Sequence, residues 1–306
     1  MDREGWLDWL RRVEARVWLD APLRERTSYR IGGAAEALAV PKHVEALREI
    51  LSRGHEDRIP IRIVGGGTNL LVSDRGVRGI VVTLGKGFDE IKVLSRTAAG
   101  GIVYAGAGAQ VADLIRRAAE ADLGGLEFLA GVPGTVGGAL VMNSGTSTEF
   151  IGDAVESVEV VDGEGRFWLV PGREIGFGYR RTAYPVAGAI VGASLRFCGR
   201  PRQDVVDDIR RRVRARRATQ PLNRASAGSV FRNPAGDSAG RLIEEAGLKG
   251  HRIGDAEVST VHANFIVNRG RATAKDVERL IHEIRNRVGS ELELEIHRVG
   301  EPDEAP

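Results

Sequence analysis

Two glycine-rich loops are the parts of this sequence whose residue types and spacing best suit chemistry. The first, Gly65-Gly66-Gly67-Thr68-Asn69, directly follows the apolar segment Ile61–Val64. Consecutive glycines after a strand leave backbone amide groups free to converge on an anion, such as a nucleotide phosphate. A tight turn between two strands explains this loop equally well, because a short glycine motif is a weak signal.

The second loop is Gly131-Val132-Pro133-Gly134-Thr135-Val136-Gly137-Gly138, and Met142-Asn143-Ser144-Gly145 follows it. Pro133-Gly134 predicts a type II turn, and Gly137-Gly138 can open a helix whose N-terminus attracts an anion. Two such loops in one chain suggest a dinucleotide ligand, with a glycine-rich structural crossover as the alternative. Neither the GxxxxGK[ST] motif of phosphate-loop NTPases nor a GxGxxG opening a helix after the first strand occurs.

Composition excludes several other classes of protein. The 306 residues contain one cysteine, Cys198, which rules out an intramolecular disulfide, a CxxC redox pair and a thiolate zinc site. The formal net charge of +2 gives no overall drive toward nucleic acid or an anionic membrane. The first twenty residues carry charges throughout, unlike a secretory signal. We therefore expect a cytoplasmic protein with no membrane span and no bound metal.

The elements that must position the two loops alternate between helices and strands. The clearest composition break lies at Gly199-Arg200-Pro201. The helix after it has acidic residues first and arginines last, which suits the helix dipole; an arginine arm for nucleic acid is the weaker alternative. Hydrophobic spacing predicts helices over 6–17, 43–53, 111–121, 203–218, 238–246 and 273–288, and strands over 38–40, 61–64, 80–84, 90–94, 102–106, 157–162, 166–170, 189–197, 263–268 and 291–297.

Several motifs together resemble one known family, the UDP-N-acetylenolpyruvoylglucosamine reductases. They occur in family order from residue 27 to 301 and read TSYRIGG, GGGTN, GLEFLAGVPGTVGGALVMNSG, GFGYRRTAY, AGSVFRNP, GRLIEEAGLKGHRIGDAEVSTVHANFIVN and LELEIHRVGE. The resemblance implies an α+β FAD-binding fold of the vanillyl-alcohol oxidase type, with subdomains over 1–61 and 62–199 and a C-terminal substrate domain over 200–306. It also implies a flavoenzyme of peptidoglycan precursor synthesis. No long Tyr-bearing insertion separates Arg180 from Ser229, as in the shorter type of the family.

The same resemblance implies the ligands and the residues that hold them. FAD is expected to bind non-covalently, NADPH to donate hydride, and a UDP-sugar enolpyruvyl ether to accept it. A monomer or weak oligomer is expected. The implied FAD-binding residues are Tyr29, Gly65, Gly66, Gly67, Thr68, Asn69, Gly131, Pro133, Gly134, Thr135 and Gly138.

Three residues are implied to do the chemistry: Arg180 binds the substrate carboxylate, Ser229 donates a proton and Glu295 positions the substrate. An enolate of a carboxylic acid needs a cation, hydrogen bonds and a proton donor, which these residue types supply. Without the resemblance, Arg180 would be a solvated charge at a strand end, with Arg181 an equal candidate. Ser229 would be a turn residue, and Glu295 one of several glutamates on the solvated face of a strand.

The implied substrate-binding residues are Tyr179, Arg180, Arg217, Arg232 and Asn233. The family commonly has a lysine before the Gln220-Pro221-Leu222 segment, and this chain has Thr219 there, so Arg217 or Arg232 is expected to substitute. His297 stands where arginine is common. His262 is more typical of a hydrogen-bonded core histidine than of a metal ligand.

Two other functions compete with the reductase. A flavin oxidase would share the cofactor fold and pass electrons to oxygen, but it has no use for a proton donor such as Ser229. A non-catalytic nucleotide-binding module would need only the glycine loops and would retain no flavin.

Overall fold

The computed structural model describes residues 3–289 and 292–301. Within these residues the chain forms two compact units, each assembled from segments that are distant in sequence. Unit 1 holds residues 3–18, 37–66 and 79–214, and unit 2 holds 19–36, 67–78, 215–289 and 292–301. The three consecutive domains expected from the sequence stay a prediction, since they divide the chain by family resemblance and not by packing.

The helices of the described residues are α1 (Arg3–Leu10), α2 (Val44–Glu56), α3 (Val111–Glu120), α4 (Val136–Val141), α5 (Arg202–Thr219), α6 (Ala239–Glu245) and α7 (Ala274–Val288). The strands are β1 (Ala15–Pro22), β2 (Ala34–Pro41), β3 (Ile61–Val64), β4 (Leu70–Val72), β5 (Val77–Thr83), β6 (Ile91–Arg96), β7 (Gly100–Gly106), β8 (Leu123–Gly124), β9 (Val155–Asp162), β10 (Phe167–Pro171), β11 (Gly176–Gly178), β12 (Arg181–Ala183), β13 (Gly188–Gly199), β14 (Ala225–Ser229), β15 (Arg252–Ile253), β16 (Ala256–Val258), β17 (Phe265–Asn268) and β18 (His297–Val299).

Unit 1 is built around an antiparallel sheet with the strand order β10–β9–β13–β7–β6. The long central strand β13 pairs with β9 on one side and with β7 on the other, where Leu195 lies opposite Val103. Both of these side chains are fully buried, and α3 and α4 contribute Leu114 and Leu140 to the same core. The apolar face of the sheet therefore supports the helix that carries the second glycine loop. Cys198, near the end of β13, is exposed.

The N-terminal helix predicted over residues 6–17 is wrong in its second half. Helix α1 ends at Leu10, and β1 begins at Ala15. Lys42 donates a backbone hydrogen bond of 3.0 Å to the Glu14 carbonyl, so this segment is held by pairing with a neighbouring strand. Val13 is buried although it lies outside the helix. Tertiary pairing has overridden a helical spacing of apolar residues here.

Helix α5 follows its predicted charge pattern, with Asp208 at its centre. This carboxylate is buried and accepts hydrogen bonds from Arg212 at 3.0 Å, Arg211 at 2.7 Å and Arg200 at 3.3 Å. Burial alone would raise the pKa of Asp208, but hydrogen bonds from Arg212 and Arg200 lower it. These arginines neutralise an internal charge, which favours the structural interpretation of the arginine run over a nucleic-acid arm.

Unit 2 contains an antiparallel sheet with the strand order β14–β17–β16–β15, packed with α6 and α7 around one core. Helix α7 starts with a capping box in which Thr273 and Asp276 exchange hydrogen bonds of 3.0 Å. It ends at Val288 and is followed by the cap residue Gly289, whose φ of 67° suits glycine. Its buried face is formed by Val277, Leu280, Ile281 and Ile284.

The last strand predicted, over residues 291–297, divides between two partners. Glu291 lies outside the described residues. Arg232 donates its backbone amide to the Glu293 carbonyl and Glu295 donates to the Val230 carbonyl, both at 2.8 Å. The chain then leaves this neighbour, and β18 pairs in parallel with β4. The change of partner explains why one continuous strand does not form.

No helix among the described residues combines the length and the apolarity needed to cross a bilayer. In the same part of the chain, His, Cys, Asp and Glu side chains form no cluster of three or more suited to a metal ion.

Candidate functional site

The two glycine loops meet within unit 1. Strand β3 ends at Val64, and the exposed Gly65 and Gly66 follow it. A Cβ atom added to Gly65 would lie 2.8 Å from Thr135 Oγ1, and one added to Gly66 would lie 3.0 Å from Gly134 Cα. The close approach of the two loops therefore depends on the missing side chains, and it leaves a cradle of exposed backbone beside a strand end. Such a cradle suits the diphosphate of a dinucleotide, so these residues fit FAD.

The helix after the second loop does not offer the open N-terminus expected from Gly137-Gly138. Helix α4 starts at Val136, and the amides of Val136 and Gly137 donate to the carbonyls of Ala109 and Ala107 at 2.8 and 2.9 Å. The Gly138 amide donates to the Thr135 hydroxyl, which caps the helix. These amides are therefore engaged within the protein, and the anion site expected at this terminus stays a prediction.

The Pro133-Gly134 segment has one feature of the predicted type II turn, a positive φ at its glycine. Gly134 has a φ of 116°, and Gly131, two residues before Pro133, has a φ of 79°. Both values lie in the region that glycine adopts readily and that other residues avoid. The turn brings the Gly134 carbonyl within 3.0 Å of the Val111 amide at the start of α3. A packed helix thereby holds the loop in place.

Unit 2 contains the remainder of the first loop. Gly67 has a φ of 64°, and a Cβ there would lie 2.1 Å from the Arg26 carbonyl oxygen. The Gly67 carbonyl accepts a hydrogen bond of 3.0 Å from the Ser28 amide. Thr68 and Asn69 then lead into β4. This arrangement fixes the course of the loop close to the TSYRIGG motif.

Tyr29, expected to bind the cofactor, is completely buried in the core of unit 2. Its hydroxyl has no hydrogen-bond partner among the residues that the structure describes. Burial, and secondarily the charge of Glu278, raises the pKa of this phenol well above its usual value. The side chain packs in the core, and the cofactor contact stays a prediction.

Arg180 occupies a two-residue turn between β11 and β12. Its φ of 53° is uncommon for a residue with a side chain. The guanidinium donates a hydrogen bond of 3.0 Å from Nη2 to the Gly145 carbonyl and lies 5.1 Å from the centre of the Tyr179 ring. Its Nε and Nη1 atoms are buried, whereas Arg181 is exposed. The two arginines that the sequence could not separate therefore differ in environment.

Helix α4 connects the glycine cradle to this hairpin. At its C-terminal end the Leu140 carbonyl accepts a hydrogen bond of 2.8 Å from Thr182 Oγ1. Asn143 donates from Nδ2 to the Gly178 carbonyl at 3.0 Å. One short helix thus fixes the position of Arg180 relative to the second loop. The role of Asn143 was not predicted from the sequence. The available signal was an asparagine between a helix and Ser-Gly, since Asn tolerates a left-handed backbone.

Unit 2 brings Ser229 and Glu295 to neighbouring backbone positions. Ser229 ends β14, and the amide of Glu295 donates to the carbonyl of the next residue, Val230, at 2.8 Å. Asn69 donates from Nδ2 to the Glu295 carbonyl at 3.0 Å. Ser229 and Glu295 are half-buried. The Asn69 side chain and Val230, the residue after Ser229, are therefore both hydrogen-bonded to the backbone of Glu295.

A second asparagine, whose role was not predicted from the sequence, supports this arrangement. Asn264 is buried, and its side chain accepts from the Phe231 amide at 2.9 Å and donates to the Phe231 carbonyl at 2.8 Å. Its own amide donates to Nδ1 of His262 at 3.2 Å. Burial, and then the charge of Lys249, lowers the pKa of His262. These contacts fit the core histidine expected from the sequence.

The other expected substrate residues differ in how they are held. Arg232 is half-buried and pairs with Glu293 at 3.1 Å. Asn233 accepts from the Ala239 amide at 3.1 Å, at the start of α6. Arg217 is exposed in the last turn of α5, and Tyr179 is exposed with its ring edge-on to Phe150.

His297 is exposed in β18, but the protein around its ring still desolvates the imidazole enough to lower its pKa, with the charge of Arg232 as a second cause. A neutral imidazole therefore stands beside Arg232 at neutral pH. The positive charge that an arginine would bring to this position is absent in this chain.

Comparison with known proteins identifies both parts of the chain. Residues 35–170 match a family described as "FAD binding domain", and residues 220–299 match "UDP-N-acetylenolpyruvoylglucosamine reductase, C-terminal domain". The chain is 45% identical to the UDP-N-acetylenolpyruvoylglucosamine reductase of Moorella thermoacetica, covering 94% of this chain and 95% of that protein. It is 44% identical to the reductase of an Anaeromyxobacter species, covering 97% and 94%.

A solved structure gives the same result. The crystal structure of UDP-N-acetylenolpyruvylglucosamine reductase from Thermus caldophilus superposes with a TM-score of 0.79 at 39% identity, covering 93% of this chain and 98% of that one. These matches confirm the predicted fold class, an α+β FAD-binding fold with a further C-terminal domain.

Proposed function

The chain belongs to the UDP-N-acetylenolpyruvoylglucosamine reductase family, and we propose that it uses NADPH to reduce UDP-N-acetylglucosamine-enolpyruvate to UDP-N-acetylmuramate. The observation that best supports this proposal is the glycine cradle of Gly65, Gly66 and Thr135, connected through α4 to Arg180. When bound there, FAD supplies hydride transfer between a nicotinamide and an acceptor. An enolpyruvyl ether carries both an alkene that accepts hydride and a carboxylate that binds an arginine.

The proposed reaction adds one hydride and one proton across the alkene of the enolpyruvyl group. Hydride adds to the terminal CH₂ of the enolpyruvyl group, which becomes a methyl group, and the carbon beside the carboxylate takes a proton. The carbon–carbon double bond becomes a single bond, and NADPH is oxidised to NADP⁺. Between the two additions, negative charge develops on the carboxylate. The protein must therefore stabilise that charge and supply one proton.

Arg180 is the residue that best suits the carboxylate. Its guanidinium is planar, stays charged and matches a carboxylate through two parallel hydrogen bonds. The bond from Nη2 to the Gly145 carbonyl fixes the plane of the group. A fixed plane lets the cation stabilise developing charge without reorganising during the reaction.

Ser229 and Glu295 complete the proposed chemistry. Ser229 donates the proton to the carbon beside the carboxylate, and Glu295 positions that end of the substrate. The backbone bond between Glu295 and Val230 supports a joint role, because it fixes the spacing of the two segments. A serine hydroxyl is a weak acid, so its proton must be replaced from solvent after each turnover.

The remaining expected residues are assigned to the UDP-sugar. Arg232 and Arg217 bind phosphate, and Tyr179 contacts the substrate beside Arg180. Asn233 contributes its NH₂ group, because its side-chain oxygen already accepts from the Ala239 amide. The enzyme then acts in peptidoglycan precursor synthesis. A cytoplasmic location fits a chain with a single cysteine.

The test separates the two halves of the reaction. Under anaerobic conditions NADPH should bleach the flavin absorbance of the purified protein, and the enolpyruvyl UDP-sugar should restore it. In Ser229→Ala the bleaching should persist, while the restoration slows by about 10²-fold or more, because the proton donor is lost. Ser226→Ala, three residues earlier in β14, is the matched control and should behave like wild type.

Two outcomes would overturn the proposal. Restoration of the absorbance by oxygen but not by the UDP-sugar would identify a flavin oxidase. A colourless protein that retains no added FAD would identify a nucleotide-binding module. If Ser229→Ala restores its absorbance at the wild-type rate, the reductase stands but the proton comes from another group.

A further inference from the structure

Asn143 is a buried amide placed directly beside the Arg180 hairpin. It follows α4, is 3% exposed and has a φ of 41°. Its Oδ1 accepts from the Gly152 amide at 2.9 Å, and its Nδ2 donates to the Gly178 carbonyl at 3.0 Å. Since a backbone amide can only donate and a carbonyl can only accept, these two partners fix the orientation of the side-chain amide.

The residues that follow Asn143 hold the other end of Arg180. Gly178 immediately precedes the turn formed by Tyr179 and Arg180, so Asn143 fixes the backbone where the turn begins. Two residues after Asn143, the Gly145 carbonyl accepts from Nη2 of Arg180. Residues 143–145 therefore hold both the backbone entry to the turn and the guanidinium itself.

These two attachments hold the Arg180 turn in a backbone conformation that it would otherwise tend to leave. Arg180 has a left-handed backbone, with a φ of 53°, which non-glycine residues adopt only when their surroundings impose it. On the far side of the turn the hairpin is attached through Thr182 to the Leu140 carbonyl. Without the hydrogen bond from Asn143 Nδ2, the Gly178 end of the turn would lose the contact that opposes its relaxation. The plane of the Arg180 guanidinium would rotate as the turn relaxes.

We infer that Asn143 is a positioning residue that sets the orientation of the Arg180 guanidinium toward the carboxylate of the substrate. The inference rests on the proposed function, in which Arg180 meets that carboxylate. The inference makes a specific prediction for Asn143. Loss of its Nδ2 donor should weaken the binding of ligands that carry the carboxylate and leave the binding of ligands without it unchanged. Substitution of a residue needed only for folding would lower the affinity for both kinds of ligand equally, or for neither.

The test uses two ligands that differ at this group. UDP-N-acetylmuramate carries the carboxylate and UDP-N-acetylglucosamine does not, and their dissociation constants for the FAD-loaded protein are measured by calorimetry. Asn143→Asp keeps the size of the side chain and its acceptor for Gly152 but replaces the donor toward Gly178 with an oxygen. We expect about a tenfold loss of affinity for UDP-N-acetylmuramate, in line with a weakened charge-assisted contact, and less than a twofold change for UDP-N-acetylglucosamine.

Two further variants make the result decisive. Asn143→Gly adopts the same backbone without strain and removes both side-chain bonds, so it should show the same selective loss even if the aspartate variant does not fold. Asp162→Asn removes a buried carboxylate from a different hairpin of unit 1 and serves as the control for a general loss of stability. It should lower the melting temperature and leave the ratio of the two dissociation constants unchanged.

Arg180→Ala separates failure of the inference from failure of the proposed function. If Arg180→Ala loses affinity only for the carboxylate ligand while both Asn143 variants keep the wild-type ratio, the positioning role is wrong and the role of Arg180 stands. If Arg180→Ala also keeps the wild-type ratio, Arg180 does not bind the carboxylate, and both assignments are overturned.

Discussion

Glu293 and Glu295 lie two residues apart on the segment after α7, and their surroundings differ. The Glu293 side chain is 74% exposed and pairs with Arg232, whereas Glu295 is half-buried and bonded through its backbone to Val230 and Asn69. An alternating sequence places both on one face, so periodicity could not separate them. Burial of the side chain, which depends on distant segments, does separate them.

Replacement of these two carboxylates tests the distinction at the scale of the residue. Glu295→Gln should lower kcat by about 10²-fold, the order expected when a group that acts on the reacting atoms is lost. Glu293→Gln should change kcat less than about threefold, because an exposed ion pair contributes little. Steady-state kinetics with the enolpyruvyl UDP-sugar measures both. Equal effects of the two substitutions would contradict the assignment of Glu295.

Single-residue environments were the least predictable part of the site. The sequence offered Arg180 and Arg181 as equal candidates, because nothing local shows that the Gly145 carbonyl, 35 residues earlier, accepts from the Arg180 side chain. Asn143 and Asn264 were missed for the same reason. Each acts through hydrogen bonds to residues more than eight positions away, and no local pattern in the sequence records them.

At the scale of the element, predictions succeeded where local signals agree. Strand β3 and helix α7 match their expected positions, and α7 carries its capping box and terminal glycine. The N-terminal helix and the last strand were mispredicted because pairing with distant segments decided their conformation. The glycine loops were found from composition alone, but their contact with each other required the fold.

The contact between the two glycine loops predicts which glycine substitutions lower the affinity for FAD. In Gly66→Ala the new methyl group would approach Gly134 Cα to 3.0 Å, which requires the two loops to shift apart by a few tenths of an ångström. We expect the purified protein to lose most of its bound FAD, measured as the ratio of absorbance at 450 and 280 nm. The matched control is Gly163→Ala in the β9–β10 hairpin, where the nearest atom is His55 Nδ1 at 3.8 Å. Full FAD retention by Gly66→Ala would count against the cradle.

At the scale of the whole molecule, buried charges make stability depend on pH. Asp162 is buried in unit 1, where its carboxylate accepts four hydrogen bonds from Glu164, Arg166 and Trp168. Burial alone would raise its pKa, but these hydrogen bonds outweigh burial and hold the pKa well below the usual range. A lowered pKa in the folded state means that the unfolded chain binds the proton more readily, so stability is lost as the pH falls.

The variant Asp162→Asn isolates this contribution. At pH 7 we expect its free energy of unfolding to be about 1–3 kcal/mol lower than that of wild type, the order of the contribution of hydrogen bonds to a charged group. The difference should shrink as the pH falls below about 4, where the wild-type carboxylate also becomes protonated in the unfolded chain. Urea denaturation at pH 7 and pH 3 measures it. A difference that is the same at both pH values would show that the loss is one of packing and not of charge.

The two histidines with lowered pKa add a second dependence of stability on pH, at higher pH than that of Asp162. His262 and His297 are neutral in the folded protein at neutral pH and become charged more readily once the chain unfolds. Below about pH 6.5, their ordinary pKa, proton uptake therefore favours the unfolded state. The melting temperature should fall from pH 7.5 to pH 5.5, and this fall should be smaller in the double variant His262→Gln, His297→Gln. An unchanged fall would assign the acid sensitivity to other groups.

The interleaved course of the chain has a practical consequence for anyone who wishes to divide the gene. The core of unit 2 includes Tyr29, Ile31 and Leu71, and β18 pairs with β4. These three residues and β4 all lie more than 140 residues before Ala215. A DNA fragment encoding only residues 215–306 would omit a fully buried tyrosine and the partner of a strand. Its product would expose the apolar surface that those residues cover and would be prone to aggregate.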